Sequence, residues 1–415
     1  MELHENRQEP EKAVLVAVDT GEYDSDSSLA ELEELAGTAG AQVSGFVSQK
    51  RDKPDGALFL GSGRLEELKE FCENEEIDVV IADSELSPVQ QRNMEEALNV
   101  RVIDRTTLIL DIFAQRAVSN EGKLQVELAQ LKYSLPRLTG KGTQLSRLGG
   151  GIGTRGPGET KLESDKRHIR RRIKTLENEL VELGKRRDMM RARREKDRVE
   201  TIVIVGYTNA GKSTLMNHLT QAGVLVEDKL FATLDPTARN LILPDGRKVV
   251  LIDTVGFIRR LPHNLVEAFK STLEEAVSAK VILNVCDSSD PECAQHIEVT
   301  EKLLDELGCA DKPVITVFNK CDLPQSEETP RNIENAVCIS ALNGQGIDSL
   351  LEAISKALPP SRARVKMLIP YSDGACAAAF RKDGVIAAEE YRADGLFLDV
   401  TADMELIDRY NGYCK

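Results

Sequence analysis

The residues whose types and spacing carry the most chemistry are Gly206, Gly211, Lys212 and Ser213, within the run TIVIVGYTNAGKSTL over residues 201–215. Two glycines separated by four residues, followed at once by lysine and serine, bind phosphate when a strand precedes them and a helix follows. The β-branched, apolar run Thr201 to Val205 predicts that strand, and a helix is expected from about Lys212. In such a loop the backbone N–H groups from Gly206 through Tyr207, Thr208, Asn209, Ala210 and Gly211 converge on an anion at the positive end of a helix dipole. Gly206 and Gly211 are read as removing the Cβ atoms that would block that approach. Lys212 bridges the outer phosphates, and the Ser213 hydroxyl, with Thr214 beside it, reaches a Mg²⁺ ion.

Further polar residues follow in the order a nucleotide switch requires. Asp253 ends a predicted strand in DTVG, where its carboxylate holds the Mg²⁺ shell through water. Thr254 and Val255 lead to Gly256, whose N–H faces the third phosphate. Upstream, FATLDPT supplies Phe231 and Thr233; Thr233 is the candidate that completes the Mg²⁺ shell, with Thr237 as its rival. Lys212, Thr233 and Gly256 are the expected catalytic positions. After the strand VITVF come Asn319, Lys320 and Asp322, and the Asp322 carboxylate accepts from both the ring N–H and the exocyclic amine of guanine, a pattern adenine lacks. Ser340 and Ala341 end the next strand, where a backbone N–H can meet the guanine carbonyl. Singly, each has a bland reading as a turn or a polar loop. Together, each at the carboxyl end of a predicted strand in an open α/β sheet, they predict binding of GTP and GDP with Mg²⁺, and GTP hydrolysis.

The elements that must position these residues are legible in the rest of the chain. Strand-like runs at Ala13 to Asp19, Gln42 to Val47, Ile77 to Asp83 and Val100 to Asp104 alternate with helical runs, which predicts a small parallel sheet over residues 1–106. From Thr107 a stripe of Phe113, Ala117, Leu124, Leu128, Leu131 and Leu135, then Leu162, Ile169, Ile173, Leu176, Leu180, Leu183 and Met190, predicts two long helices paired antiparallel over 107–198. Residues 199–358 alternate strand and helix around the phosphate loop. Residues 359–415 read as a small α+β unit whose last two strands turn at Asp394-Gly395. The expected fold class is thus α/β: a mostly parallel sheet carrying the phosphate loop, an N-terminal α/β subdomain, a helical hairpin and a C-terminal α+β domain.

Charge singles out the hairpin. The net charge is −15, yet residues 136–198 hold 19 Lys and Arg against 9 Asp and Glu, a basic arm on an acidic body. Such a run is either a solvated helical surface or a nucleic-acid contact. Between the helices, residues 139–161 contain 8 glycines interleaved with Lys141, Arg147, Arg155 and Lys161. A connection between two paired helices needs only a few residues, so this one reads better as a tip that brings backbone close to RNA phosphates than as a plain linker. The eight cysteines form no Cys-x-x-Cys pair and no His cluster accompanies them, which fits a reducing compartment. No apolar run approaches the roughly 20 residues of a membrane span, and the polar start MELHENRQEPEK is unlike a signal peptide. A cytoplasmic protein is expected, with a membrane-peripheral placement left open.

GGGIGTRGPGETKLE and FATLDPTAR in one chain resemble the HflX family of ribosome-associated GTPases, in the translation-factor class, and the resemblance spans essentially the whole length. It implies binding to the large ribosomal subunit, splitting of ribosomes or prevention of their association, and hydrolysis stimulated by the ribosome. It also implies contact with ribosomal RNA through the tip, here Arg147, Gly149, Gly150, Gly151, Arg155, Gly156 and Lys161, and a monomer away from the ribosome. Asn209 is similar to the asparagine of the potassium-activated branch, which implies a K⁺ ion beside the phosphates. After DTVG many GTPases carry a glutamine that orients the attacking water; this chain has Phe257, so slow unassisted turnover is expected. The alternatives are a GTPase acting on another RNA, in ribosome assembly or tRNA maturation, and a nucleotide-dependent RNA-binding module.

Overall fold

The computed structural model describes residues 10–138, 161–196, 199–220, 230–231, 235–260, 262, 275–324, 333–360 and 362–414. They fall into two units, one of residues up to 241 with 250–347, the other of 242–249 with 348–415.

The first unit begins with β1 (Lys12–Asp19), α1 (Ser25–Ala39), β2 (Gln42–Lys50), α2 (Ser62–Asn74), β3 (Val79–Ala82), α3 (Pro88–Leu98) and β4 (Arg101–Asp104). The strands lie parallel in the order β2-β1-β3-β4. β1 is buried along nearly its whole length, because helices cover both faces of the sheet. α1 starts where Asp24 caps the N–H groups of Asp26 and Ser27, and stops at Gly40 in the left-handed conformation, φ +93°. Gly61 is the N-cap of α2 and donates its N–H to Gln49, 2.8 Å away.

The apolar stripe that begins at Phe113 is expected to run through one helix, but it is broken. α4 (Arg105–Arg116) ends at Ala117, and α5 (Asn120–Arg137) starts from a Ser119 cap, leaving Val118 81% exposed between them. Phe113 and Ala117 therefore pack with the main core, while Leu124 and Leu128 form a seam with the long helix α6 (Lys161–Lys196) around the fully buried Leu176. The two helices run antiparallel, with Glu127 taking two 2.7 Å bonds from Arg172, and Glu121 paired with Arg187 at 3.0 Å. The predicted tip residues Arg147, Gly149, Gly150, Gly151, Arg155 and Gly156 lie outside the described residues, and Lys161 is the first residue of α6.

The second sheet has the order β10-β9-β8-β5-β7-β6. Its strands are β5 (Glu200–Gly206), β6 (Thr237–Ile242), β7 (Lys248–Asp253), β8 (Val281–Asp287), β9 (Val314–Asn319) and β10 (Ala336–Cys338). β5, β8, β9 and β10 are parallel, so β5, β8 and β9 all deliver their carboxyl ends to one edge. α7 (Lys212–Thr220) follows the phosphate loop and α8 (Cys293–Glu306) follows β8. β6 was not expected; it pairs at the edge through the turn Pro244-Asp245-Gly246, where Gly246 has φ +86°. Of the strand and helix alternation expected over 199–358, residues 263–274, most of a helix read over Leu265 to Val277, lie outside the described residues.

In the second unit β11 (Arg362–Ile369), β12 (Val385–Arg392) and β13 (Gly395–Asp403) form an antiparallel sheet with β13 central. Helix Gly374–Asp383 and a short unpredicted helix, Met404–Arg409, cover one face, with Met367, Phe380, Leu398 and Val400 fully buried between. Gly395, at φ +151°, makes the predicted turn possible, since a Cβ there would lie 2.5 Å from the Ile369 carbonyl.

Candidate functional site

β5 turns into α7 through Tyr207, Thr208, Asn209, Ala210 and Gly211, with Asn209 at φ +60°. The glycines are required here by more than an approaching phosphate. At Gly206, φ +143°, a Cβ would stand 2.1 Å from the Val285 carbonyl of β8; at Gly211, φ +90°, it would stand 2.2 Å from Asn319 Nδ2. The first glycine lets the loop leave a crowded sheet, and the second lets Asn319 reach underneath it.

Asn319 joins three of the predicted segments. Its Nδ2 donates to the Ala210 carbonyl at 2.8 Å, and its Oδ1 accepts from the Ala341 N–H at 2.9 Å, with the side chain buried. The Ala341 N–H, expected to meet guanine, is thus directed at Asn319, and the Ser340 N–H donates to the Gln345 carbonyl at 3.0 Å. Lys320, at φ +61°, pairs with Asp287 of β8 at 2.6 Å, which orients the loop that carries the exposed Asp322.

On the phosphate side Lys212 is buried and donates to the Tyr207 carbonyl at 2.6 Å. Burial pushes its ammonium pKa down to about 8, against the pull of the Asp253 carboxylate. The Ser213 hydroxyl donates to Asp253 Oδ2 at 2.8 Å, with Asp253 itself 1% exposed. A hydroxyl and a carboxylate side by side are two hard oxygen donors, the set Mg²⁺ takes when phosphates and water supply the remaining ligands. Ser213 and Asp253 fit that ion; Thr233, the third expected donor, lies outside the described residues. When bound, the ion neutralises charge that develops on the phosphates.

The DTVGF segment lies against the loop. Thr254 Oγ1 donates to the Ile204 carbonyl at 2.8 Å, the Phe257 N–H donates to the Gly206 carbonyl at 3.1 Å, and the Thr208 N–H donates to the Phe257 carbonyl at 2.8 Å. Gly256 is wedged in: a Cβ would lie 2.8 Å from Thr208 and 2.9 Å from Lys212 Nζ. Val255 is buried and the Phe257 ring, 1% exposed, is withdrawn into the core that holds Phe113 and Phe231. Among the described residues, Thr208 Oγ1 in the loop is a buried polar atom with no hydrogen-bond partner.

A polar network that the sequence did not reveal surrounds this arrangement. Tyr207 bonds Glu31 of α1 through its hydroxyl, accepts the Arg259 N–H at 2.7 Å, and stacks on His296 of α8 at 3.7 Å. Arg259 reaches Ser27 at 3.0 Å and Glu292 at 2.5 Å. Arg260 and Arg105 converge on Asp83, at 2.6 Å and 3.0 Å, and Ser28 donates to the same carboxylate at 2.8 Å. Arg105 also pairs with Glu31. Two arginines directly after DTVGFI were the one available signal. Their side-chain partners come from α1, the end of β3 and the N-cap of α8. A cavity of about 310 Å³, bordered by Glu31, Asn209, Arg259, Asp287, Asp290 and His296, opens beside the loop.

Three stretches of the chain match described families: residues 26–114 the GTP-binding GTPase N-terminal region, 116–194 the GTP-binding GTPase middle region, and 201–320 the 50S ribosome-binding GTPase. A protein named GTPase HflX from Caldanaerobacter subterraneus is 52% identical over 99% of this chain and 95% of its own length. Proteins of the same name from Lacrimispora saccharolytica and Escherichia coli are 49% and 41% identical, each over 98% of this chain and 96% of their own length. A solved GTP-binding protein from Sulfolobus solfataricus, in complex with GDP, is 27% identical, covers 84% of this chain and 98% of that one, and superposes with a TM-score of 0.44.

Proposed function

Because this chain belongs to the HflX family of GTPases, and so binds and hydrolyses GTP, we propose that the reaction switches its grip on the large ribosomal subunit and that the bound protein splits ribosomes or keeps their subunits apart. The observation that carries this reading is the position after Gly256. A phenyl ring 1% exposed stands where a glutamine would order water, so the attacking water must be placed either by a group that a partner supplies or by backbone and a bound cation, and the ribosome is the partner proposed to complete the site. The arm has the chemistry for a ribosomal RNA partner: Arg170, Arg171 and Arg186 are exposed on α6, and the glycine-rich segment 139–161 joins its helices. Lys212 and Gly256 face the outer phosphates, Ser213, Asp253 and Thr233 hold Mg²⁺, Asp322 selects guanine, and Asn209 holds a K⁺ ion beside the phosphates.

The test is sedimentation with 70S ribosomes and with large subunits in GTP, GDP and a non-hydrolysable analogue. It is run beside a variant in which Gly149 to Glu159 are replaced by a serine-glycine linker of equal length. The parent should bind large subunits preferentially with the analogue, convert 70S particles to subunits, and lose affinity steeply with salt. The linker variant should keep basal hydrolysis and lose splitting. A linker variant that splits as well as the parent would refute the role of the tip, and indifference of the parent to nucleotide would refute the switch. Hydrolysis in K⁺ should exceed that in Na⁺ at matched ionic strength; equal rates remove the Asn209 assignment.

A further inference from the structure

Asp235, in the FATLDPT segment, makes its hydrogen bonds with Val118 and Ser119. Its Oδ2 accepts the N–H groups of Val118 and Ser119 at 2.9 Å and 2.7 Å, and its Oδ1 accepts the Ser119 hydroxyl at 2.5 Å. Those donors form the break between α4 and α5, and Ser119 Oγ in turn accepts the Gly122 N–H at 2.8 Å as the cap of α5. A carboxylate thus sits on the positive end of the first arm helix, joined to its cap. The fit is tight: a Cβ at Gly122 would stand 2.3 Å from Asp235 Oδ1. Four residues earlier Phe231, 2% exposed, packs edge-on against Phe113 of α4 at 4.7 Å. Both described ends of the segment are therefore fastened to the helix pair at the root of the arm, through contacts more than 115 residues apart in sequence for Asp235.

We propose that Asp235 is a positioning residue that couples nucleotide state to the arm: its docking on the α5 cap depends on which nucleotide is bound, so that the cap is loaded in one state and released in the other. The inference rests on the reading of FATLDPT as a nucleotide switch. By linkage, whatever nucleotide does to the arm, a partner bound to the arm does in return to the nucleotide.

The experiment needs no ribosome. Hydrogen exchange of the full chain is followed at residues 117–122, in GDP and in a non-hydrolysable GTP analogue, for the parent, Asp235→Ala, Asp235→Asn and Gly122→Ala. Val118 lies in an exposed turn, so protection of its N–H reports on Asp235 directly. The parent should exchange differently in the two nucleotides, and Asp235→Ala should abolish the difference. Gly122→Ala should do the same, although alanine favours the helix itself; loss through a strengthened helix separates lost docking from lost folding. Asp235→Asn, which keeps a carbonyl acceptor, should restore part of the difference. Both disabling variants should lower the kcat of GTP hydrolysis by about fivefold or more while GDP affinity stays within about twofold, since in GTPases this switch is ordered through the third phosphate. No nucleotide dependence in the parent, or a difference that survives in Asp235→Ala, overturns the proposal. A parent that ignores ribosomes yet shows the difference refutes the ribosomal reading and leaves the coupling standing.

Discussion

Asp83 offers the sharpest energetic test. Its side chain is 0% exposed and accepts from Arg105 at 3.0 Å, Arg260 at 2.6 Å and Ser28 at 2.8 Å. Asp83→Ala removes all three bonds and leaves Arg105, 3% exposed, with one carboxylate fewer. The Arg105 bond is fully buried and charge-assisted, worth about 1.5–3 kcal/mol, and the Ser28 hydroxyl bond adds about 1 kcal/mol. Arg260 is 33% exposed, so its share is discounted for screening to about 0–1 kcal/mol. The total is about 2.5–5 kcal/mol, which overlaps the range for breaking a buried pair by removing one partner. At about 1–2 °C per kcal/mol for a unit of this size, the transition should fall by at least about 3 °C. The assay is thermal and urea unfolding of the parent, Asp83→Ala, Arg105→Met and the double variant. Because the double variant removes both members of the buried Asp83–Arg105 pair together, it should be less destabilised than the two single effects added together. A loss under about 1 kcal/mol for Asp83→Ala, or strict additivity in the cycle, refutes the reasoning.

Gly211→Ala drives a Cβ to 2.2 Å from Asn319 Nδ2 at φ +90°, a strain of about 1–3 kcal/mol; GDP affinity measured by fluorescent-nucleotide titration should fall about tenfold or more, and unchanged affinity would show that Asn319 does not organise the site. Asp322→Asn should cost about 1.5–3 kcal/mol for each guanine bond lost and shift preference toward xanthine nucleotides in competition binding; a parent that binds ATP and GTP equally refutes the assignment. Burial lowers the His296 pKa below its ordinary 6.5, with the nearby Arg259 adding to the effect and Asp290 opposing it. The folded protein then binds fewer protons than the unfolded chain at and below pH 6.5, so stability is intact above that pH and is lost as pH falls through and below it. His296→Phe, which keeps a ring against Tyr207, should narrow the difference in Tm between about pH 7.5 and pH 5.5; an equal difference in both proteins refutes the role of His296.

The parts of this molecule that read well from sequence are those whose residue types answer one local demand. The phosphate loop needs glycines between a strand and a helix, and Lys212, Ser213, Asp253 and Asn319 meet beside it as their order implied. What stayed hidden depends on neighbours distant in the chain. Glu31, Asp83 and Arg105 look like ordinary charges, since nothing near them announces that Tyr207, Arg259 and Arg260 will bury them. Gly206 and Gly211 were expected to make room for phosphate, while their nearest obstacles are the Val285 carbonyl and Asn319. The break at Ala117 to Ser119 was masked because Phe113, Ala117 and Leu124 keep helical spacing across it. Ser119, three residues before Gly122, was the overlooked capping signal.

The Asp83 cluster also has an order in time. Synthesis proceeds from the N-terminus, and domains close as they emerge. Asp83, Arg105, Ser28 and Glu31 all lie within the first 105 residues, whereas Arg260 arrives more than 150 residues later. The nascent four-stranded sheet can therefore bury Asp83 against Arg105 and Ser28 without waiting for the second arginine. Until Arg259 and Arg260 are made, two carboxylates, Asp83 and Glu31, share one arginine, so the nascent surface keeps a negative charge on which the later arginines can dock.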